Sequence, residues 1–559
     1  MNREGTAVLI LHFGDANLTN ECLSSVQSAG LSDDLDRIFI IDNADSQDFT
    51  LNRDLMDRSV KILKSSKNLG YAGGMNLGIR QCLKKGYKFI FLLNNDTIIT
   101  KGCITKLREF LQSRDMAGIV SPLILYNQNR QKIWSTGSAI YPSRGKTKDP
   151  LHNRSIVDLP KYKKVDAVPG CAIMVKAEVF ENIGLFDESY FAYFEDIDLC
   201  HRAGLYGYEV YFLSGASVFH RVASASKNTK NIRMNSDFFM IRNRIYFMKK
   251  FARRLQLAAF YLVLPVEAAV YLAKNIVRLR LKKAVSFLAG LWEGLFPPPP
   301  VAEGLPEAEI SACIITKDAE QTIERCLQSL ASAVDEITIL DSGSKDNTIS
   351  LCQKYTDKVF STEFNKDFSA LRNQVARLAE KPWILALDAD EVISEGLKQN
   401  IKQLVSSPPY RAYALKRINY YNQSAIHFGY AGFDSLVRLY QNQGSFFYGR
   451  VHERLISQGP VKKTRLKVFH KPAENNFTHK SFKTKWMTYA AIEAESKACS
   501  RKRNFLGPLS APLIFCLTFL KEIILLLGFL DGAKGFKIAY FRALYAYHVL
   551  RAISAKTQS

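Results

Sequence analysis

Short apolar runs alternate with longer amphipathic segments along most of the chain, for example at residues 7–11, 38–41 and 89–93. Runs of this length, separated by helical stretches, are typical of βαβ units whose parallel sheet is buried on both faces. Each run ends in polar residues, most clearly in FLLNNDTI (91–98) and ILALDADEV (384–392). Because ligands of such sheets bind beyond the carboxyl ends of the strands, the pattern predicts an α/β fold with ligand crevices at these positions.

The same series of segments occurs twice. Three pairs match in the same order along the chain: AVLILHFGDANLTNECLSSV (7–26) with ISACIITKDAEQTIERCLQSL (310–330), RIFIIDNADSQD (37–48) with EITILDSGSKDN (336–347), and KFIFLLNNDT (88–97) with PWILALDADE (382–391). Two unrelated α/β domains could share such features by chance. Three matches in one order favour two copies of a single domain.

An apolar but interrupted stretch separates the two copies at residues 255–296. Pro265 and Glu267 interrupt its first part and four basic residues its second, so a helix that spans a membrane is not expected. Its aromatic residues and basic flanks favour helices that lie in the membrane interface, with packing on the neighbouring domain as the alternative.

The tail repeats this composition, with Lys521 and Glu522 in the middle of an apolar segment. It predicts an interfacial or re-entrant helical pair, with one spanning helix as the alternative. The predicted organisation is therefore a first domain, amphipathic membrane-associated helices, a proline-rich linker, a second domain and a hydrophobic tail: 1–250, 251–296, 297–309, 310–500 and 501–559.

The net charge and the cysteines indicate the type of partner and the redox compartment of the protein. The 559 residues carry a formal net charge of +23, which indicates an anionic partner. No zinc-finger spacing, RNA-binding aromatic motif or basic-region heptad accompanies this charge, so a membrane surface is favoured over nucleic acid. The ten cysteines form no C-x-x-C pair, and the first residues do not resemble a signal peptide, which together predict a reducing cytosol.

The acidic residues after the apolar runs predict a metal site. Asp388 and Asp390 are two positions apart, so on a strand they share one face. Carboxylate oxygens in a crevice suit Mg²⁺ or Mn²⁺, which also bind phosphate oxygens. A solvated loop is the alternative explanation for any single Asp-x-Asp sequence.

These motifs give the chain a specific resemblance. Residues 5–250 resemble family 2 glycosyltransferases of the rhamnosyl and galactofuranosyl type, through IIDNADSQD, SKNLGYAGGMNLGI, LLNNDT and the long block from Val168 to Arg202. Residues 310–550 resemble the transferases of lipopolysaccharide core, through ILDSGSKDNT, FSALRNQVA, WILALDADE, VHERL and GFLDGAKG. The resemblance implies two GT-A domains, which are Rossmann-like with a mostly parallel sheet, and inverting transfer from nucleotide-sugar donors.

The resemblance also implies a set of donor and metal ligands. The nucleotide sugar would be bound by Asp42, Asn68, Gly70, Gly73 and Asn76 in the first copy and by Asp341, Arg372 and Asn373 in the second. The metal ligands would be Asp96 and His220 in the first copy, and Asp388, Asp390 and His470 in the second, with His452 and His479 competing for the place of His470. Asn94 replaces the first Asp of the motif in the first copy, which would leave Asp96 more dependent on His220.

The candidate general bases follow from the same comparison. An inverting transferase needs a carboxylate that takes the proton of the attacking hydroxyl. Asp196 is the candidate in the first copy, with Glu195 and Asp198 orienting it, although helix capping could explain all three. Glu453 is the candidate in the second copy.

The sequence therefore predicts a bifunctional enzyme of cell-surface polysaccharide synthesis: O-antigen, capsule or lipopolysaccharide. The expected partners are UDP-, dTDP- or similar nucleotide-sugar donors, a lipid-linked or lipopolysaccharide acceptor and an anionic membrane, without nucleic acid. The expected location is the cytoplasmic face of the bacterial inner membrane, peripheral or re-entrant. Two alternatives stay open: one copy is a degenerate carbohydrate-binding or scaffold module, or the protein is a phospho- or nucleotidyltransferase on a similar fold.

Overall fold

A computed structural model describes residues 3–31, 36–43, 51–156, 158–221, 235–297, 308–406, 410–432, 434–459, 461–473, 478–498 and 510–558. Most of the predicted linker and the basic residues 501–503 lie outside these ranges. The chain divides into two compact units, Met1–Pro299 and Pro300–Ser559. Each unit is described by itself.

The first unit is built on a ten-stranded sheet. Its strands are β1 (Arg3–His12), β2 (Arg37–Asp42), β3 (Val60–Lys64), β4 (Tyr87–Asn94), β5 (Thr97–Ile99), β6 (Ala117–Tyr126), β7 (Ile133–Ser135), β10 (Tyr162–Val165), β11 (Ala172–Lys176) and β12 (Glu209–His220), with β8 (Ala139–Tyr141) and β9 (Lys146–Lys148) in a separate hairpin. The order is β10-β12-β6-β11-β4-β1-β2-β3. Neighbours β4, β1, β2 and β3 are parallel, whereas β11 is antiparallel to both β4 and β6.

The helices in the described segments of this unit are α1 (Ala16–Gln27), α2 (Gly70–Lys84), α3 (Cys103–Gln112), α4 (Ala177–Ile183), α5 (Glu195–Tyr206), α6 (Ser236–Phe251), α7 (Arg254–Val277) and α8 (Leu281–Leu295). Short 3₁₀ turns lie at Arg53–Leu55 and Glu188–Tyr190. The apolar runs of β1 and β4 are buried on both faces beneath the helices, as a parallel sheet requires.

The second unit is built on a nine-stranded sheet in which eight strands repeat the order of the first. Its strands are β13 (Ile310–Thr316), β14 (Glu336–Asp341), β15 (Val359–Ser361), β16 (Trp383–Asp388), β17 (Glu391–Ile393), β18 (Ala412–Tyr421), β19 (Ser424–Ala425), β20 (Ser435–Gln441) and β23 (Val461–His470), with β21 (Phe446–Tyr448) and β22 (Arg454–Ile456) as a separate hairpin. The order β15-β14-β13-β16-β20-β18-β23-β17 matches β3-β2-β1-β4-β11-β6-β12-β5 in the first unit, because β5 pairs with β12. The predicted duplication and α/β fold are confirmed.

The helices of the second unit are α9 (Ile323–Leu330), α10 (Thr348–Cys352), α11 (Phe368–Leu378), α12 (Glu395–Ser406), α13 (Gly429–Gly432), α14 (His479–Ser481), α15 (Met487–Ala498), α16 (Ser510–Leu520) and α17 (Gly532–Gln558). Segments Phe482–Trp486 and Lys521–Leu525 are π-helical, and Gly528–Asp531 is a 3₁₀ turn. Cys313, Cys326 and Cys352 lie in the core, as do the five cysteines of the first unit's described segments.

The expectation that Pro265 and Glu267 interrupt the first apolar stretch is wrong. Helix α7 runs through both residues and is the one single helix in the described segments that is long and apolar enough to cross a membrane. Only 17% of its most apolar window is buried. Glu267 is accommodated because it accepts hydrogen bonds from Lys146 at 2.8 Å and Arg244 at 2.6 Å.

The charged residues of the tail have partners in the second unit. Glu522 is buried and accepts a hydrogen bond from the backbone of Tyr430 at 2.8 Å, and Asp531 accepts one from Phe428 at 2.8 Å. The two helical segments that meet here are bent by 73°. This bend suits the predicted re-entrant pair and equally a broken span, so the membrane topology of the tail stays a prediction.

Candidate functional site

An aspartate and a histidine meet at the end of the central strands of the first unit. Strand β5 follows Asp96 directly and pairs with the end of β12, with Thr97 opposite His220. This register places His220 Nε2 3.3 Å from Asp96 Oδ1. Both side chains are largely buried, and His220 Nδ1 has no hydrogen-bond partner in the described residues. We call this pair site 1.

The second unit contains the same pair, which we call site 2. Strand β17 pairs with the end of β23, with Glu391 opposite His470, and His470 Nε2 lies 3.3 Å from Asp390 Oδ2. Asn419 Oδ1 lies 2.8 Å from His470 Nδ1, so the ring is fixed with Nε2 towards the carboxylate. Burial opposes both charges, but their mutual attraction prevails, lowering the pKa of Asp390 and raising the pKa of His470.

The competing histidines of the second unit lie elsewhere. His452 contacts the Tyr545 hydroxyl at 3.2 Å and Glu493 at 3.7 Å. His479 packs edge-on against Phe541. Among the three candidates, the structure therefore brings His470 to Asp390.

Asp388 does not present a free carboxylate at site 2. Its two oxygens accept hydrogen bonds from Arg372 at 2.5 Å and Arg438 at 2.9 Å. Burial opposes ionisation of Asp388, but the guanidinium groups outweigh it and hold the pKa well below its usual range. Both oxygens of Asp388 are thus used by buried arginines in this structure, and its metal role stays a prediction.

Asn94 stands where the first unit has apolar residues in place of these arginines. By alignment of the two sheets, Asn94, Met75 and Ile173 occupy the places of Asp388, Arg372 and Arg438. A buried aspartate without those cations would be unstable, so the neutral asparagine is the compatible residue. The substitution changes an ion network beside the aspartate–histidine pair and leaves the pair itself in the same geometry in both units.

Asn76 and Asn373 contact protein groups in the structure, and their predicted nucleotide contacts stay predictions. The Asn76 amide donates to Phe186 O at 3.0 Å and Glu188 Oε1 at 2.8 Å, and accepts from Phe186 N at 3.0 Å. Asn373 likewise brackets the backbone of Phe447, at 2.8 and 2.7 Å. Both amides therefore hold a protein loop, since their hydrogen-bonding groups are occupied by it.

The glycines of KNLGYAGG also approach protein. Gly70 has a φ of +70°, and a Cβ there would lie 2.4 Å from the Phe191 carbonyl oxygen. A Cβ at Gly73 would lie 2.8 Å from Leu69 Cβ. The close packing of this loop is enough to require glycine at both positions, and their approach to a nucleotide stays a prediction. Asn68 caps the loop by accepting a hydrogen bond from Gly70 N at 2.9 Å.

The two aspartates that end the second strand of each copy occupy equivalent, buried places. Asp42 ends β2 and Asp341 ends β14. Asp341 accepts backbone hydrogen bonds from Gly343 and Ser344, each at 2.9 Å, and so shapes its own loop. Contact of either carboxylate with a nucleoside stays a prediction.

Glu195 and Asp196 form a buried carboxylate pair at the start of α5. Asp196 accepts hydrogen bonds from Gly170 N at 2.9 Å and Ile197 N at 2.8 Å and is half-buried. Glu195 is 5% exposed, and its Oε2 is without a hydrogen-bond partner in the part of the chain described. Burial raises the pKa of both groups, and the charge of Asp196 raises that of Glu195 further.

Asp198 has partners other than Asp196 in the structure, and its predicted orienting role stays a prediction. Asp198 is fully buried and forms ion pairs with Arg202 at 2.5 Å and Lys250 at 2.7 Å. The Tyr190 hydroxyl donates to it at 3.2 Å. It therefore fastens α5 to α6 instead of contacting Asp196.

In the second unit, Arg372 joins the candidate base to the acidic motif. Its Nε donates to Glu453 at 2.6 Å while its terminal nitrogen binds Asp388. Arg372 is 4% exposed, so in this arrangement it is enclosed by acidic protein groups. Its predicted contact with the donor would require a change of partners.

Sequence reasoning missed three residues of these sites. Asn43 accepts a hydrogen bond from Leu69 N at 2.9 Å and donates to Gly70 O at 2.8 Å. Arg438 and Glu391 form a buried 2.8 Å ion pair beside Asp388. Asn43 directly follows the predicted site residue Asp42, so its position in the motif could have indicated it. The sequence around Arg438 gives no indication of its ion-pair partner.

The variant Glu195→Gln is expected to be more stable than the wild type, by a margin that grows as the pH rises. Because the pKa of Glu195 is raised in the folded state, the folded protein keeps a proton that the unfolded chain has released. The free energy of unfolding therefore falls as the pH rises from the ordinary pKa of glutamate to the raised pKa. Glu195→Gln is isosteric and carries no ionisable proton, so it removes this pH-dependent loss of stability. Urea unfolding at acidic and neutral pH measures it; an advantage that shrinks with rising pH contradicts the assignment.

Comparison with known proteins identifies the family. The model of glycosyl transferase family 2 matches residues 7–184 and 311–452. This is more than half of the chain, and the chain belongs to glycosyltransferase family 2. Both candidate bases, Asp196 and Glu453, lie just beyond the matched segments.

Similar proteins include the low-salt glycan biosynthesis hexosyltransferase Agl10 of Haloferax volcanii, 33% identical over 172 residues, covering 29% of this chain and 52% of that protein. An uncharacterized glycosyltransferase of Rickettsia felis is 29% identical over 147 residues, covering 26% and 52%. The chain thus spans about half the length of these relatives. Among solved structures, GalNAc-T7 with UDP, GalNAc and Mn²⁺ is 15% identical, with a TM-score of 0.35 and coverage of 54% and 60%.

Proposed function

We propose that this protein is a bifunctional inverting glycosyltransferase that moves sugars from nucleotide-sugar donors to a membrane-borne glycan acceptor of cell-surface polysaccharide. The observation that carries the proposal is the recurrence of one aspartate–histidine pair, at 3.3 Å, in the same place of both sheets. A degenerate second copy would have no reason to keep this geometry. Family membership of both halves supports the same reading.

The donor sets suit a divalent cation. Each site offers a carboxylate and an imidazole, and no group of three or more His, Cys, Asp or Glu side chains with metal-binding geometry occurs in the described ranges. Mg²⁺ and Mn²⁺ are commonly bound through one or two protein carboxylates, substrate phosphates and water, so two protein ligands fit. When bound, the cation would neutralise the charge of the leaving diphosphate.

The protein's own groups would activate the acceptor. In the first unit, we take site 1 to include Asp196, the base that takes the proton of the acceptor hydroxyl. Glu195 lies beside it in the first turn of α5. In site 2, Glu453 has this role, held by Arg372. The sugar centre is attacked from the face opposite the diphosphate, so the transfer inverts its configuration.

Apolar helices support a membrane location. Helices α7 and α8 expose large apolar side chains, and basic residues flank them. We assign the protein to the cytoplasmic face of the inner membrane, where a lipid-linked or lipopolysaccharide acceptor is available, together with an anionic surface for the excess positive charge.

A donor screen tests the proposal. The full chain is incubated with a panel of UDP-, dTDP- and GDP-sugars and Mn²⁺ or Mg²⁺, in the presence of membrane glycolipid extracts, and nucleoside diphosphate release is measured. We expect metal-dependent release with two donors that differ in sugar or nucleotide. Release that is unaffected by chelation, or absent with every donor and acceptor, contradicts the proposal.

A further inference from the structure

The segment that carries the candidate base of site 1 is strained. Between Asp187 and Asp198, which we call the acid-bearing segment, three bulky residues adopt positive φ: Phe191 at 63°, Tyr193 at 67° and Phe194 at 75°. Such conformations are rare for aromatic residues and persist only where the surroundings fix them. Something outside the segment must therefore hold it.

Asn243 of α6 holds the backbone of this segment. Its side-chain amide, which is fully buried, donates to the carbonyl oxygens of Tyr190 at 3.0 Å, Ala192 at 2.8 Å and Tyr193 at 2.6 Å. The Phe239 ring on the same helix stacks on the ring of Phe191 at 5.3 Å. Helix α6 therefore contacts both the backbone and an aromatic ring of the strained residues.

Two cations of α6 complete the attachment. Arg242 donates to the carbonyl oxygens of Tyr190 at 2.7 Å and Ser189 at 3.2 Å. Lys250 forms ion pairs with Asp187 and Asp198, each at 2.7 Å, and so fastens both ends of the acid-bearing segment. Helix α6 thus bonds to both ends of the segment and to the backbone of its middle part.

Helix α6 is in turn fixed to α8. A Cβ at Gly290 would lie 2.3 Å from the Phe238 carbonyl oxygen, so the two helices touch backbone to backbone there. Glu293 of α8 pairs with Arg242 at 3.1 Å, and both side chains are largely buried. Arg242 is therefore shared between α8 and the acid-bearing segment.

The opposite face of α8 is an exposed apolar stripe. It consists of residues at helical spacing with 47–68% exposure: Leu281, Val285, Leu288, Trp292 and Phe296. Exposed basic residues precede and flank it: Arg278, Arg280, Lys282 and Lys283. An apolar stripe with a basic flank has the chemistry that binds an anionic bilayer surface.

We propose that α6 is a positioning helix that couples α8 to site 1: Arg242 and Asn243 hold the acid-bearing segment in its strained form, and docking of the α8 stripe on an anionic membrane strengthens this hold through Glu293. The proposal rests on the proposed transferase function and adds a regulation of site 1 by the membrane. Neither Arg242 nor Asn243 lies in the residues matched by the family model.

The positioning role is tested with Asn243→Asp, which keeps the shape but replaces the donors by acceptors facing carbonyl oxygens. Asn235→Ala is the matched control, because Asn235 caps the same helix without contacting the segment. We expect kcat at site 1 to fall about 100-fold in Asn243→Asp, with little change in donor KM, because a small displacement of the base has such an effect. A kcat equal to that of Asn235→Ala, or a loss confined to KM, would overturn the role.

A second readout does not depend on activity. Amide hydrogen exchange of residues 187–198 is expected to accelerate in Asn243→Asp while the buried strand β4 is unchanged. Equal acceleration in both segments would mean general unfolding and would overturn a local hold. If the wild-type chain transfers no sugar, the proposed function fails, whereas the exchange experiment still decides whether α6 holds the segment.

Coupling to the membrane is tested with Glu293→Gln in the full chain. Vesicles containing anionic phosphatidylglycerol are expected to raise kcat of the wild type at site 1, and neutral vesicles are expected to have a smaller effect. Glu293→Gln should bind the anionic vesicles as well as the wild type but lose the rise in kcat, whereas Trp292→Gln should bind them more weakly. An undiminished rise in Glu293→Gln, or no rise in the wild type, would overturn the coupling.

Discussion

Asp96→Asn is expected to abolish transfer at site 1 and to leave transfer at site 2 intact. Asp96 and His220 are the side chains that the sheet brings together at this strand end, 3.3 Å apart. The amide keeps the size of the side chain and removes the charge that a divalent cation requires. Stabilisation of a leaving diphosphate by a metal is worth several kcal/mol, so we expect a fall of about 10³-fold in kcat.

The measurement is kcat for the site 1 donor as a function of Mn²⁺ concentration. Asp54→Asn serves as the control, because Asp54 is an exposed aspartate of the same unit. Both variants should unfold at the temperature of the wild type. Retention of Mn²⁺-dependent transfer in Asp96→Asn would show that the metal of site 1 is held elsewhere.

Arg438→Met is expected to destabilise the second unit by about 3–5 kcal/mol, because it leaves buried carboxylates without their cation. Arg438 is 4% exposed and binds Asp388 at 2.9 Å and Glu391 at 2.8 Å. Calorimetric unfolding of the full chain measures the change in the transition of this unit, and no change there would contradict the network's role.

The first unit supplies a matched control for this network. The quadruple variant Arg372→Met, Asp388→Asn, Glu391→Thr and Arg438→Ile installs the neutral residues found at the corresponding places of the first unit. Because it removes Arg438 together with the two carboxylates that Arg438 binds, it is expected to be more stable than Arg438→Met alone. A quadruple variant less stable than the single variant would mean that the sheets are not equivalent here.

The elements that position the sites could be predicted from sequence because they depend on local pattern. The apolar run ending at Asn94 is β4, and the run ending at Asp388 is β16. Their duplication was visible as three ordered matches. The proximity of Asp96 and His220 could be predicted only from the family resemblance, because it arises from the pairing of β5 with β12.

Other roles could not be read from sequence because they depend on distant partners. Asn76 is part of a motif that suggests nucleotide binding, yet its amide holds the backbone of Phe186. Asp388 has the form of a metal ligand, but buried arginines from other elements occupy its oxygens. Helix α7 continues through the exposed Pro265 and through Glu267, whose carboxylate is paired with Lys146 and Arg244 from distant parts of the chain.

The central claim is that one chain contains two independent transfer sites with the same aspartate–histidine geometry. It is tested most directly by analysing the glycan products of Asp96→Ala and Asp390→Ala beside the wild type, with both donors present. Each variant is expected to lose one sugar transfer and keep the other, and the two losses are expected to be complementary. Loss of the same transfer in both variants, or retention of both transfers in either, would contradict it.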